Sequence, residues 1–252
     1  MMNLIDLSDK RIVITGASSG IGRAVAILVS QLGGHGVLIA RRRDELQKTA
    51  DQMDVKPALY ISDLQNIDQI GELVKKILDD QGSVDGFVHC AGVLTTVGLR
   101  GLAPSVVEKT MKINLYSFLE LAKHFTASGA YRPGMSMVGM SSAAASQGHL
   151  GKTIYSASKA ALESAIRCLA RELSPANIRV NSVAPAIIRT PLVDSYLKQA
   201  GTSNNVREAL ARQYLGIGEP EDVAAMVAFL LSNASRLITG ATLPVDGGKL
   251  SS

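Results

Sequence analysis

The stretch Arg11-Ile12-Val13-Ile14-Thr15-Gly16-Ala17-Ser18-Ser19-Gly20-Ile21-Gly22 decides the fold. An apolar, β-branched run enters a glycine-rich turn, and the turn opens an amphipathic segment that continues from Ile21 to Leu32. A continuous apolar run, rather than an alternating one, is what a strand buried on both faces requires, and such strands belong to parallel sheets covered by helices. The same rhythm recurs along the chain. Strands are expected over Arg11–Thr15, Gly36–Ala40, Lys56–Ile61, Gly86–His89, Ser136–Met140, Arg179–Ala184 and Ala241–Val245. Helices are expected over Ile21–Leu32, Asp44–Met53, Asn66–Gln81, Ser105–Ala127, Tyr155–Leu173 and Glu219–Leu231. This alternation predicts a doubly wound, seven-stranded parallel α/β sheet in a single domain over residues 1–252. The irregular stretch from Ile187 to Gly218 breaks the rhythm and is read as a substrate lid.

Composition supports a globular α/β chain. Of the 252 residues 46% are hydrophobic and 19% charged, too apolar for a disordered chain and without collagen-like or disulfide-scaffold bias. The two cysteines, Cys90 and Cys168, lie in apolar contexts and read as buried free thiols. The longest apolar stretch, Val223 to Leu231, is far short of the roughly 20 residues that span a bilayer, and residues Met1 to Arg11 have no apolar signal-peptide core. Both features predict a cytoplasmic protein with no membrane partner. The net charge of +4 permits a polyanion, yet no basic stripe with interleaved aromatics accompanies it, so no nucleic-acid partner is expected.

The glycine turn carries the first chemistry. Gly16, Gly20 and Gly22 are spaced for a tight turn, close backbone approach to a pyrophosphate and close helix packing, and the helix amino terminus favours the negative charge. This predicts a dinucleotide site on a Rossmann fold. At the end of the second strand a carboxylate would bind the ribose hydroxyls of NAD, whereas Ala40 leads here into Arg41-Arg42-Arg43. Guanidinium groups bind phosphate bidentately, so NADP is expected ahead of NAD. A solvated basic helix start is the competing reading.

Tyr155 and Lys159 stand one helical turn apart on one face. A nearby ammonium and an oxidised nicotinamide would both favour phenolate and bring the phenol toward the working range of an acid–base catalyst. Thirteen residues before Tyr155, Ser142 follows the fifth strand at the carboxyl edge of the sheet, where α/β proteins bind ligands. Ser142 is expected to hold the same carbonyl oxygen.

With these residues in view, the chain resembles the short-chain dehydrogenase/reductase family from about Lys10 to Gly248. The likeness rests on TGASSGIG at 15–22, Asp63-Leu64, Ala91-Gly92, Asn114, Ser142, YSASK at 155–159, Asn181-Ser182-Val183-Ala184-Pro185, Thr190 and Asp246-Gly247-Gly248. The resemblance implies a catalytic tetrad of Asn114, Ser142, Tyr155 and Lys159, with Asn114 holding a water that links Lys159 to solvent. It implies cofactor contacts from Gly16, Ser18, Ser19, Gly20, Ile21, Gly22, Arg41, Arg42, Asp63, Leu64, Ala91, Gly92, Tyr155, Lys159, Ile188 and Thr190. It also implies a homotetramer, built partly through the helices that start at Ser105 and Tyr155.

The chain departs from the family pattern in three places. His89-Cys90-Ala91-Gly92 replaces NNAG, Ala186 replaces the glycine of the PG pair, and Ser19 occupies a position that is often basic in NADP-using members. The tail from Gly218 to Gly248 looks most like the 3-oxoacyl-[acyl-carrier-protein] reductase branch. Against carrier docking, the positions that are basic there read Pro133, beside Arg132, and Ala176. The expected function is NADPH-dependent reduction of a small-molecule ketone or 3-oxoacyl group. An NAD-dependent alcohol or sugar dehydrogenase and a non-catalytic dinucleotide sensor are the alternatives. His149 reads as a loop residue near substrate or in solvent, and Arg167 and Arg171, with Glu163 before them, as a solvated helix face. No Cys/His/carboxylate cluster has metal-ligand spacing.

Overall fold

The computed structural model describes residues 5–194 and 211–251. Strands β1 (Arg11–Thr15), β2 (His35–Ala40), β3 (Ala58–Ile61), β4 (Val84–His89), β5 (Tyr131–Met140), β6 (Arg179–Pro185) and β7 (Thr242–Val245) form one parallel sheet in the order β3-β2-β1-β4-β5-β6-β7. The order reverses between β1 and β4. At that switch point the loops leaving adjacent strands diverge in opposite directions and open a crevice at the carboxyl edge.

Alternate residues of each strand feed the two faces, as the pleat demands. Ile12 and Ile14 of β1 pack with Val25 and Val29 of α1 (Gly20–Gln31) and with Val223 and Val227 of α7 (Pro220–Leu231). Val13 points the other way. It joins Phe87, Ile77 of α3 (Ile70–Gln81), Phe118 and Phe125 of α5 (Ser117–Phe125), and Leu162 and Ile166 of α6 (Thr153–Leu173). Helix α7 starts within one residue of the expected Glu219. Glu219 and Asp222 form a reciprocal capping box, and Pro220 occupies the first turn, where its missing N–H costs nothing.

Boundaries shift where long-range pairing outweighs local signals. β5 begins at Tyr131, earlier than expected through Pro133-Gly134, because Tyr131 pairs with Val84 across a register irregularity. Arg132 and Pro133 therefore lie inside the strand, not before it. Helix α2 (Arg43–Ala50) ends short of Met53, and a 3-10 turn, Ile67–Gln69, precedes α3. The expected helix from Ser105 to Ala127 is interrupted: α4 (Pro104–Met111) passes through a π turn, Lys112–Tyr116, before α5. Of the expected lid, residues 195–210 lie outside the described residues. On its flanks, Ile188 bridges Gly218 in a parallel pair. No helix among the described residues is long and apolar enough to cross a membrane.

Candidate active site

A cavity of about 470 Å³ follows the carboxyl edge across the switch point. Its floor is the turn between β1 and α1. Gly16 has φ +67°, and a Cβ there would stand 2.8 Å from the Ala91 nitrogen; a Cβ on Gly22 would overlap the Gly16 carbonyl. Both positions are therefore filled by the protein's own backbone, and only glycine lets the turn pack this tightly against the segment after β4 while its N–H groups open at the helix amino terminus. Thr15 ties the turn to β4: its hydroxyl accepts from the Ala91 N–H at 3.1 Å.

The basic run after β2 divides into separate roles. Arg42 reaches back over the glycine loop and donates to the hydroxyls of Ser18 at 3.3 Å and Ser19 at 3.0 Å. Arg41 pairs with Asp63 at 3.6 Å. Arg43 begins α2, where Asp44 and Glu45 supply the negative charge that the helix amino terminus favours. Arg42, Ser18 and Ser19 together present one guanidinium and two hydroxyls, a set suited to a phosphate ester.

The opposite wall is built from β5, its following turn and α6. Ser142 caps the 3-10 turn Ala143–Ala145, its Oγ accepting from the Ala144 N–H at 3.2 Å. Tyr155 is hydrogen-bonded to Ser142; burial raises the phenol above its ordinary range, and the Ser142 bond acts in the opposite direction. The downward shift expected from sequence belongs to the complex with oxidised cofactor; in the free protein burial dominates. Lys159 is 4% exposed, donates to the Met140 carbonyl at 2.6 Å, and lies 5.9 Å from the centre of the Tyr155 ring. Burial lowers this ammonium to about 8. Desolvation opposes the charged form of each group, so it pushes the phenol up and the amine down.

All sixteen residues expected at the cofactor line this one cavity, and Ser142 joins them. Asn114 does not. It is wholly buried in the π turn, where its Oδ1 accepts from Val93 N–H at 2.9 Å while its Nδ2 donates to Val93 O at 3.1 Å and Ser158 Oγ at 2.9 Å. Both amide protons are used, so the side chain braces the turn from behind the wall.

Further residues escaped the sequence reading. Glu163 is not merely a solvated neighbour of Arg167: its carboxylate accepts from Ser141 Oγ at 2.6 Å, holding the residue beside Ser142. Gln213, buried, accepts from Ile187 N–H at 3.0 Å and donates to Ile187 O at 3.0 Å and Gly216 O at 2.6 Å, clamping the segment after β6. No local pattern announces either contact. Ala186 is not strained by replacing glycine, since among described non-glycine residues only Asp9 and Asn177 have positive φ. Cys168 is exposed, not buried, whereas burial pushes the Cys90 thiol up to about 12. His149 is not among the residues that line the cavity. Among the described residues no group of three or more His, Cys, Asp or Glu could hold a metal ion.

Comparison with known proteins agrees with this geometry. The family described as enoyl-(acyl carrier protein) reductase matches residues 16–249. The chain is 33% identical over 246 residues to the 3-oxoacyl-[acyl-carrier-protein] reductase FabG of Thermotoga maritima, covering 96% of this chain and 98% of that one. It is also 33% identical over 245 residues to an NAD-dependent glycerol dehydrogenase of Listeria innocua, covering 96% and 94%. Among solved structures, a blue fluorescent protein from a metagenomic library in complex with NADPH superposes with a TM-score of 0.89 at 28% identity, covering 97% of this chain and 99% of that one.

Proposed function

The chain belongs to the short-chain dehydrogenase/reductase family, and from that premise we propose that it is an NADPH-dependent reductase of a ketone or 3-oxoacyl group. The observation that carries the reading is the convergence of Ser142, Tyr155 and Lys159 on the wall facing the glycine turn. The phenol, half-buried and raised above its ordinary range, is protonated at neutral pH, the form that can donate to a carbonyl oxygen. Ser142, which accepts from Ala144 N–H, has its own proton to offer the same oxygen. The bound reduced nicotinamide supplies the hydride.

As the carbonyl carbon is reduced, Tyr155 gives its proton to the oxygen and is left as phenolate. Lys159 stabilises that anion and replenishes its proton. One of its three N–H donors is committed to Met140 O, which holds the ammonium 5.9 Å from the centre of the Tyr155 ring. With the Asn114 side chain bound to Val93 and Ser158, we assign the water of the proton relay to its main-chain carbonyl. At the other end, Arg42 with Ser18 and Ser19 takes the 2′-phosphate, and Arg41 adds charge while paired to Asp63. Asp63 and Leu64 flank the adenine; Ile188 and Thr190 flank the carboxamide side.

The same residues serve the reverse direction, and the NAD-dependent glycerol dehydrogenase shows that relatives of similar identity differ in cofactor and substrate. Arg132, inside β5 and paired with Asp85, is poorly placed to dock an acidic carrier. We therefore favour a free small-molecule substrate. We also read residues 1–252 as one dinucleotide-binding domain working in the cytoplasm as a tetramer, supported by free cysteines and by exposed Tyr116, the last residue of the π turn, and Leu119 of α5.

The test is NADPH oxidation against acetoacetyl-coenzyme A, L-xylulose, diacetyl and a ketosteroid. Tyr155→Phe should lower turnover by about 10²- to 10⁴-fold while NADPH binding, followed by its fluorescence, stays intact. Undiminished turnover by that variant would refute the assignment.

A further inference from the structure

His89 ends β4 where the family pattern has asparagine, and it is wholly buried without lining the cavity. Its ring is boxed by Phe87 and Phe118, with centroids 6.0 and 5.8 Å away. Nδ1 lies 3.0 Å from Thr15 Oγ1, and Nε2 lies 3.2 Å from Ile113 O and 3.3 Å from Ser117 Oγ. The hydrogen-bond chemistry assigns the tautomer. The Ile113 carbonyl facing Nε2 can only accept, so Nε2 must donate, and Nδ1 of the neutral ring accepts the Thr15 hydroxyl proton while Thr15 Oγ1 accepts from Ala91 N–H. The ring proton is then on Nε2, and it is shared between the Ile113 carbonyl and the Ser117 hydroxyl, whose own proton goes to Ile113 O at 2.8 Å.

Thr15 immediately precedes Gly16, and Ile113 immediately precedes Asn114. One imidazole therefore joins the glycine turn to the π turn. π turns arise where something interrupts the ordinary helical ladder, and here two side-chain donors, from His89 and Ser117, converge on the Ile113 carbonyl. Asparagine at position 89 could repeat the contact with Thr15, but its amide stops short of Ile113.

We propose that His89 is a positioning residue that sets the π turn, and with it the Asn114 main chain, at the distance from the glycine turn and Lys159 that proton delivery requires. The ring does not shuttle protons itself: burial and the neighbouring Lys159 charge push it down to about 3. The inference rests on the proposed role of Asn114 in the relay, so it is tested beside Tyr155→Phe.

The experiment compares His89→Leu, His89→Asn and Ser117→Ala with the parent protein. The assay is NADPH oxidation with acetoacetyl-coenzyme A, or with whichever ketone of the panel above is reduced fastest. His89→Leu should lower kcat by about ten- to a hundredfold, with NADPH affinity unchanged and an increased solvent deuterium isotope effect, because proton delivery becomes slower. His89→Asn should fall between the two. Ser117→Ala leaves the imidazole in place, so it should be folded even if the His89 variants are not, and should show a smaller change of the same kind. In the parent protein, ¹⁵N spectra should show the Nε2–H tautomer of His89. If Tyr155→Phe is inactive while the folded variants keep the parent kcat and isotope effect, the His89 inference alone is overturned. If Tyr155→Phe stays active, the catalytic reading falls and this inference falls with it.

Discussion

The two walls of the cavity are made of different material. The wall around the glycine turn uses backbone and exposed side chains: Arg41 is 59% exposed, and its pair with Asp63 lies in solvent. The wall around Tyr155 uses side chains removed from water, with Lys159 4% exposed and Asn114 and His89 wholly buried. Charges in solvent are screened and individually worth little, so the first wall tolerates exchange of its polar groups but not of its backbone space. Buried polar groups carry large desolvation costs and must be fully partnered, so the second wall tolerates little exchange of any kind.

The strongest challenge to this contrast is Gly16→Ala, where a methyl meets Ala91 backbone at positive φ. It should abolish measurable NADPH binding and lower stability by about 1–3 kcal/mol, read by fluorescence titration and thermal unfolding. Retained affinity would mean that the first wall is not set by backbone space. Next in size, Arg42→Ala should raise KM for NADPH about tenfold with little change for NADH. Arg41→Ala should do less, because that guanidinium is shared with Asp63. Equal effects would show that the two arginines are interchangeable.

The buried wall makes a pH prediction. His89 is held at about 3 against an ordinary 6.5, so between these values the unfolded chain binds a proton that the folded one refuses. Its contribution to stability is present above 6.5 and is lost as pH falls toward 3. In urea titrations at a series of pH values, a folded His89→Asn protein should lose stability less steeply over this window. An identical slope would place the acid sensitivity elsewhere. The smallest effect concerns thiols. Cys168, exposed, should react with a disulfide reagent in the native protein while Cys90, pushed up to about 12, stays unreactive until unfolding, and Cys168→Ser should leave activity unchanged.

How much of this was legible in sequence follows the same division. The glycine turn, the basic run and Tyr155 with Lys159 each lie within a few consecutive residues, and their spacing carries their chemistry. Helix α7 was legible as well, its ends falling within one residue of the expected Glu219–Leu231. The π turn was not: periodicity from Ser105 to Ala127 shows only a helix, and the interrupting donors come partly from β4. Nor could the opposing effect of desolvation on Tyr155 be read, since the nearby lysine is visible in sequence but the depth of burial is not.

By itself, then, the amino-acid order determined the parallel sheet, the order of its elements and the short motifs at its carboxyl edge, because hydrophobic period and turn chemistry act over neighbouring residues. Only the tertiary structure decided that Arg42 closes over Ser18 and Ser19 while Arg41 turns to Asp63. It alone decided that Glu163 holds Ser141 and that His89 bridges Thr15 to Ile113. Those contacts join residues 22 to 74 positions apart, so their partners are chosen by how the packed elements bring distant groups face to face, in solvent for the arginines and inside the core for His89.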